Sequence, residues 1–126
     1  MGKSIFDDTR YVYAIYPYDE NGQIAGAYVG ITGNLKERMY LHRNNRDSRD
    51  KQSALHKLMR EHGYCFQILE VCNKVIDRCV EYDWIEFFAG QEVHVFNIQH
   101  GKNANQERLI KKYGKPIWTG GGVAWQ

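Results

Sequence analysis

The sequence has no long apolar run. No stretch approaches the roughly eighteen consecutive apolar residues that a transmembrane helix needs, and Met1 to Arg10 lacks the apolar core of a signal peptide. Internal repeats and low-complexity segments are also absent. From these absences we expect an intracellular, cytoplasmic protein with no membrane partner.

Cysteine is scarce as well. The three cysteines, Cys65, Cys72 and Cys79, are odd in number and contain no CxxC pair. This pattern argues against a disulfide framework and against a cysteine zinc site, so we expect reduced cysteines that serve in packing.

A chain of 126 residues, of which 43% are hydrophobic, can bury one modest core. We expect one domain over residues 1–98 and a basic C-terminal extension over residues 99–126. The extension has a predicted basic helix from about Asn103 to Tyr113 and a glycine-rich end with Trp118 and Trp125. Two interpretations of this end stay open: nucleic-acid contact through basic and aromatic side chains, or tryptophans that pack back on the domain.

The net charge of +2 conceals a segregated distribution. Residues 36–60 contain eight Lys or Arg and three acidic residues, whereas residues 61–101 contain two basic and seven acidic residues. A basic segment suits phosphate contacts, and carboxylates suit a metal site. The alternative is that both segments are solvated helix surfaces.

Hydrophobic spacing predicts a β-hairpin near the N-terminus. The run from Tyr11 to Tyr18 is aromatic and β-branched, Asp19 to Gly22 is typical of a turn, and Ala25 to Ile31 predicts the returning strand.

Beyond the hairpin, Asn34 and Glu37 have capping-box spacing, which predicts a helix from near Leu35 to about Asn44. The remaining predicted elements are a basic loop over Asn45 to Lys51, a helix through Leu55, Leu58 and Met59 up to Gly63, a strand over Tyr64 to Cys72, a helix over Val75 to Phe88 and a short strand over Val93 to Ile98. This order predicts an α/β fold of the α+β type, in which a small mixed β-sheet with an N-terminal hairpin is flanked by helices.

Two tripeptides carry a family resemblance. Ala14-Ile15-Tyr16 and Tyr28-Val29-Gly30 stand where the GIY and YIG motifs of the GIY-YIG nucleases stand, and Arg38, His42, Glu81-Tyr82-Asp83-Trp84-Ile85 and Phe96-Asn97 follow in the family's order. The chain resembles that superfamily over about Tyr11 to Ile98. It looks most like the catalytic domain of phage intron homing endonucleases, which suggests a phage or other mobile element. The sequence departs from the family pattern at Ala14 and at Ile31.

The resemblance implies a hydrolase, a metal-dependent DNA endonuclease. Glu81 would bind one Mg²⁺ or Mn²⁺, Arg38 would stabilise the phosphate, and Asn97 would brace the site or the substrate. Tyr16 or Tyr28, assisted by His42, would orient or deprotonate the attacking water. Tyr11, Tyr13 and Tyr18 are expected to be packing residues, and the other histidines, including His56, receive no role.

Helical spacing adds an independent argument for two of these positions. Glu81 lies three and four residues before Trp84 and Ile85, so its carboxylate is on the apolar side of its helix and needs a cation, a metal or a shifted pKa. A salt bridge to Arg38 is the structural alternative. Arg38 and His42 are four residues apart and therefore share a helix face.

The partner implied is DNA. A homodimer is one arrangement for double-strand cleavage, since a double-strand break needs two cuts. Nine basic side chains are candidates for phosphate contacts: Lys36, Arg43, Arg46, Arg49, Lys51, Lys57, Arg60, Lys111 and Lys112. Two other functions stay open, a catalytically silent nucleic-acid-binding module and a protein-interaction or inhibitor protein.

The hairpin register decides whether Tyr16 and Tyr28 can act together. A three-residue loop of Glu20, Asn21 and Gly22, with Gly22 left-handed, pairs residues whose numbers sum to 42 and places both tyrosines on one face. We therefore predict this loop or an equivalent bulge near Gly26.

Overall fold

A computed structural model describes residues 8–43, 53–97, 106–114 and 116–125 of the chain. Its elements, in chain order, are β1 Thr9–Pro17, β2 Tyr28–Thr32, α1 Leu35–Arg43, α2 Ser53–His62, β3 Tyr64–Asn73, α3 Asp77–Gly90, α4 Gln106–Tyr113, β4 Pro116–Trp118 and β5 Val123–Trp125.

The architecture is a three-stranded antiparallel sheet in the order β2-β1-β3 with helices on both faces. This is the small mixed fold expected from the sequence, and the prediction of fold class is confirmed. A separate two-stranded sheet joins β4 and β5. Within the described ranges, no helix is long and apolar enough to cross a bilayer.

The central strand β1 is buried on both faces, as its nearly continuous apolar sequence predicts. Side chains alternate along it, so Val12, Ala14 and Tyr16 enter one core together with α3 and Leu109 of α4. Tyr13 and Ile15 enter a second core, where they meet Tyr28 and the apolar side chains of α1 and α2. The sheet therefore separates two cores.

The first helix begins where its cap predicts. The Glu37 N–H donates to the Asn34 side-chain oxygen at 3.1 Å, and the Asn34 amide donates back to the Glu37 carboxylate at 3.4 Å. The backbone N–H of Asn34 donates instead to the Thr32 hydroxyl at 3.0 Å. The capping-box prediction is confirmed in its first hydrogen bond and altered in its second.

The turn between β1 and β2 is the predicted three-residue loop, but the strand register is not the predicted one. Asp19 N–H donates to the Gln23 carbonyl at 2.7 Å, and Gly22 is left-handed with φ +76°. Near the loop Tyr18 pairs with Ile24, whereas further along Ile15 pairs with Tyr28. One extra residue in the second strand therefore shifts the register between these two pairs.

That extra residue lies where a third chain segment approaches. The Ala27 N–H donates to the His94 carbonyl at 2.8 Å, and the Phe96 N–H donates to the Ala27 carbonyl at 2.9 Å. Gly26 is needed here, because a side-chain carbon at this position would overlap the His94 carbonyl and the Phe96 ring. The predicted strand over Val93 to Ile98 is a single bridge at Val95, and Ile98 lies outside the described residues.

The described part of the chain after residue 105 packs on the domain. Arg108 of α4 donates to Glu70 at 2.8 Å and also pairs with Asp83, while the Trp84 indole N–H donates to Glu70 at 3.0 Å. The Glu70 side chain is fully buried, so Arg108 supplies the cation that its carboxylate needs. Arg108 has a raised pKa because of hydrogen bonds to Glu70 and Asp83, which outweigh its desolvation.

Both tryptophans of the C-terminal segment contact the domain. The Trp118 ring lies 5.3 Å from the ring of Tyr16, and the Trp125 ring lies 5.4 Å from the ring of Trp84. Of the two interpretations of the glycine-rich end, packing against the domain is the one that these contacts support. The start of the predicted basic helix and the predicted loop over Asn45 to Lys51 include residues that lie outside the described ranges.

We expect Arg108→Ala to lower the free energy of unfolding by about 2 to 3 kcal/mol, because it leaves the buried Glu70 carboxylate without its cation. The measurement is a urea titration followed by circular dichroism. Lys111→Ala is the control on the same helix, since Lys111 is exposed and should change the value by less than about 0.5 kcal/mol. Equal stability of the two variants would contradict the buried ion pair.

Candidate active site

The phenol of Tyr13 is the centre of a polar cluster inside the second core. Its hydroxyl lies 2.9 Å from His42 Nε2 and accepts a hydrogen bond from Arg38 Nε at 3.4 Å. The Tyr13 side chain has an exposed fraction of 0%. Burial is the largest cause of its raised pKa, the charge of Tyr28 adds to the rise, and Arg38 opposes it.

His42 continues this cluster toward α2. Its Nδ1 lies 3.1 Å from Nε2 of His56, and both imidazoles have an exposed fraction of 2%. Arg38 and His42 thus share one face of α1, as their spacing predicted. His56, which received no role from the sequence, is buried beside them.

Gly30 allows Tyr13 to take this position. The two residues are opposite each other in the β1 and β2 register, and the Tyr13 ring crosses over the Gly30 backbone. A side-chain carbon at Gly30 would overlap the end of the Tyr13 phenol. The last residue of Tyr28-Val29-Gly30 therefore has a steric role.

Tyr28 lies on the same face of the sheet as Tyr13. The two ring centroids are 6.5 Å apart, and the Tyr28 ring lies 5.3 Å from the imidazole of His42. Tyr28 and His42 are thus brought together, as the sequence predicted.

Tyr16 is the site residue that the structure places elsewhere. Because Ile15 pairs with Tyr28, Tyr16 projects from the opposite face of the sheet. Its hydroxyl donates to Gln67 Oε1 at 2.6 Å, and its ring packs between Phe88 and Trp118. The prediction that Tyr16 and Tyr28 share a sheet face is therefore wrong, because the extra residue in the bulge moves the side chains of β2 to the opposite face.

Tyr13 is the residue that this error concealed. The sequence analysis assigned Tyr13 to packing, whereas the observed register places it on the same sheet face as Tyr28. His56 was also missed. The available signal was its position three residues before Met59, on the buried face of α2.

Arg38 links the buried cluster to a surface cleft of about 520 Å³. Arg10 and the first turn of α1 line the same cleft. Arg10 was not a sequence candidate; its Nε lies 3.9 Å from the Asp77 carboxylate. Two guanidinium groups at one cleft suit an anionic ligand such as a phosphodiester.

Glu81 projects from α3 close enough to act electrostatically on Tyr13. The pKa of this carboxyl is raised to about 7, mainly by burial and also by the charge of Asp77, while the charge of Arg78 acts in the opposite direction. Among the residues described, none forms a hydrogen bond or an ion pair with the Glu81 carboxylate. The alternative of a salt bridge to Arg38 is therefore not observed.

A partly buried carboxylate that forms no ion pair with the described residues fits a divalent metal ion. The described residues contain no group of three or more metal-binding side chains. A single carboxylate suits Mg²⁺, which keeps several water ligands and is held by one or two carboxylates together with substrate phosphates. Glu81 would be the protein ligand in such a site.

Asn97 braces strand β2. Its side-chain oxygen accepts from the Val29 N–H at 2.9 Å, and its amide donates to the Val29 carbonyl at 2.7 Å. Both ends of the amide are therefore used on the backbone between Tyr28 and Gly30. Of the two roles expected for Asn97, bracing the site is the one that this geometry favours.

The described candidates for phosphate contact lie on both sides of the sheet. Lys36 and Arg43 on α1, and Lys57 and Arg60 on α2, are exposed on the side of the Tyr13 cluster. Lys111 is exposed on α4, which packs on the opposite side through Leu109. Three further candidates, Arg46, Arg49 and Lys51, lie outside the described residues, as does the side chain of Lys112.

Comparison with known proteins gives one match. Residues 9–92, two thirds of the chain, match the family model of the GIY-YIG catalytic domain. Neither the curated proteins nor the solved structures gave a match. The matched range contains Tyr13, Tyr28, Arg38, His42 and Glu81.

We expect Gly30→Ala to lower the free energy of unfolding by about 1 to 3 kcal/mol, because the added methyl group displaces the Tyr13 phenol within a packed core. Urea titration measures the change. Gly90→Ala is the matched control, since nothing lies within 4 Å of an added carbon there. Wild-type stability of the Gly30 variant would contradict the close approach of the Tyr13 ring.

Proposed function

This chain belongs to the GIY-YIG catalytic domain family, a family of nucleases, and on that premise we propose that it is a divalent-metal-dependent endonuclease that hydrolyses DNA phosphodiester bonds. The observation that carries the proposal is the contact of one tyrosine hydroxyl, Tyr13, with both His42 and Arg38 beside an arginine-lined cleft.

Tyr13 takes the role that the sequence interpretation gave to Tyr16. The first motif is accordingly assigned to Tyr11-Val12-Tyr13, whose last residue shares the sheet face of Tyr28. A phenol is a poor base at neutral pH, and burial makes the ionised form of Tyr13 still less favourable. Tyr13 therefore needs a group that takes its proton, and His42 Nε2 is within hydrogen-bond distance.

Proton transfer then runs from water through Tyr13 to His42. As the attacking water loses a proton to the Tyr13 oxygen, the Tyr13 hydroxyl proton moves to His42 Nε2. The water oxygen forms a bond to phosphorus. The bond from phosphorus to the leaving oxygen breaks with its electron pair on that oxygen, which takes up a proton from solvent. His42 ends the step as an imidazolium.

Arg38 has two roles in this proposal. In the absence of DNA it donates to the Tyr13 hydroxyl, and its 3.4 Å distance indicates a weak hydrogen bond. A phosphate in the cleft offers a charged acceptor, which forms a stronger hydrogen bond. Movement of Arg38 toward the phosphate stabilises the transition state and opens the buried Tyr13 hydroxyl to water.

Glu81 would hold the metal ion, which supplies a positive charge that stabilises the negative charge of the transition state. Asn97 and Tyr28 would position other groups of the site. Asn97 holds the backbone of β2, and Tyr28 packs against the imidazole of His42.

DNA would approach the side of the molecule that carries α1 and α2. Four exposed cations lie there among the described residues, Lys36, Arg43, Lys57 and Arg60. These four cations can contact DNA phosphates on both sides of the one in the cleft. Such contacts give binding that weakens as salt is raised. Similarity to phage intron homing endonucleases, origin in a mobile element and a homodimer for double-strand cleavage remain predictions.

The alternative functions have no specific observation in their favour. A silent nucleic-acid-binding module has no need for the polar cluster of Tyr13, His42 and Arg38. A protein-interaction or inhibitor role predicts no salt-sensitive DNA binding. Incubation of supercoiled plasmid with the protein and Mg²⁺, with and without a chelator, separates these functions.

We expect Tyr13→Phe to lower the rate of plasmid cleavage by at least about a hundredfold, because it removes the hydroxyl that accepts the proton of water. Tyr16→Phe is the matched control, since it also removes one hydroxyl from β1 but affects only the hydrogen bond to Gln67. Its rate should stay within about threefold of the wild type. The opposite result, an inactive Tyr16→Phe and an active Tyr13→Phe, would restore the original assignment.

We expect Glu81→Gln to lower the cleavage rate by at least about a hundredfold at saturating Mg²⁺, because the amide is a weak metal ligand. DNA affinity, measured by fluorescence anisotropy, should be nearly unchanged. Glu92→Gln, at an exposed glutamate just after α3, is the control for the loss of one charge. Near-normal cleavage by the Glu81 variant would refute its assignment as metal ligand.

A further inference from the structure

His42 lies between two polar partners in a buried part of the molecule. Its Nε2 is 2.9 Å from the Tyr13 hydroxyl, and its Nδ1 is 3.1 Å from Nε2 of His56. The partners come from different elements, Tyr13 from β1 and His56 from α2, which pack together in the second core. The three polar groups therefore form a chain that crosses that core.

The direction of the hydrogen bonds in this chain follows from Tyr13. Its hydroxyl has no exposed surface, so its proton needs an acceptor within the protein. Arg38 is a donor only. Among the residues described, His42 Nε2 is the acceptor within hydrogen-bond distance of this hydroxyl, so Tyr13 donates to it.

A neutral imidazole carries one N–H, so the nitrogen that accepts from Tyr13 leaves the proton on Nδ1. The Nδ1–H then points at His56 Nε2, 3.1 Å away, and that nitrogen must be unprotonated. The opposite tautomer of His42 would place an N–H against the Tyr13 hydroxyl. It would also leave the Tyr13 proton without an acceptor among the residues that the structure describes.

We propose that His56 is a positioning residue that holds His42 in the Nδ1–H tautomer, with Nε2 ready to take the Tyr13 proton. His56 Nε2 accepts from Nδ1–H before the reaction and continues to accept when His42 becomes an imidazolium. No proton passes to His56. Its contribution is the orientation of the ring and stabilisation of the positive charge on it.

The tautomer is a property of the folded protein, whereas its effect on the rate rests on the proposed function. Two variants separate the hydrogen bond from the packing of His56. His56→Gln keeps an acceptor oxygen at about the distance of Nε2 from the backbone. His56→Leu keeps a buried side chain but removes the acceptor.

The first measurement is the ¹⁵N shift of the His42 ring in the isotope-labelled full chain without DNA, assigned by its loss in His42→Gln. We expect a protonated Nδ1 and an unprotonated Nε2 in the wild type and in His56→Gln, and a mixture of tautomers in His56→Leu. A wild-type His42 protonated on Nε2 would overturn the proposal. This readout holds even if the protein cleaves no DNA, so it separates failure of this inference from failure of the proposed function.

The second measurement is plasmid cleavage at saturating DNA. We expect His56→Leu to lower the rate by at least about tenfold with little change in DNA affinity, and His56→Gln to restore it to within about threefold of the wild type. His62→Gln, an exposed histidine on the same helix, is the control. Equal loss in the Leu and Gln variants, or no loss in either, would contradict a role based on the accepted hydrogen bond. If His56→Leu does not fold, the wild-type shift and the Gln variant still decide.

Discussion

The alternation of side chains along β1 is the constraint on which the rest of the structure depends. As the central strand, β1 sends every second residue into the core with α3 and the residues between into the core with α1 and α2. A shift of the neighbouring strand by one residue exchanges the residues that meet across the sheet. The bulge near Gly26 makes that shift, and it brings Tyr13 rather than Tyr16 to the face of Tyr28.

The two cores contain different kinds of buried polar group. On the side of α3 and α4, the buried carboxylates of Glu70 and Asp83 share the Arg108 guanidinium, and these ion pairs attach α4 to the domain. On the other side, the buried polar groups include the Tyr13 hydroxyl and the imidazoles of His42 and His56, which are joined by hydrogen bonds. The first arrangement stabilises the fold, whereas the second is suited to chemistry.

Glu81 and Arg38 connect the interior to the surface. Arg38 contacts the buried hydroxyl and lines the cleft, and Glu81 presents a carboxylate whose ionised form burial disfavours. A polyanionic substrate with a divalent cation would satisfy both groups, since it supplies an acceptor for the guanidinium and a cation for the carboxylate. In the proposed function, substrate binding and assembly of the reactive geometry would therefore be coupled.

Local patterns in the sequence determined most of the secondary structure and the placement of several residues of the candidate site. The Asn34 cap, the spacing of Arg38 and His42 and the position of Glu81 depend on the geometry of single helices, so they could be predicted from the chain alone. The shared sheet face of Tyr13 and Tyr28 could not be predicted, because the loop and the bulge each shift the strand register by one residue and only their combined effect decides which side chains share a face. The roles of His56 and Arg108 could not be predicted for a similar reason. Their partners are distant in the chain, and only tertiary packing brings a second imidazole to His42 and a guanidinium to Glu70.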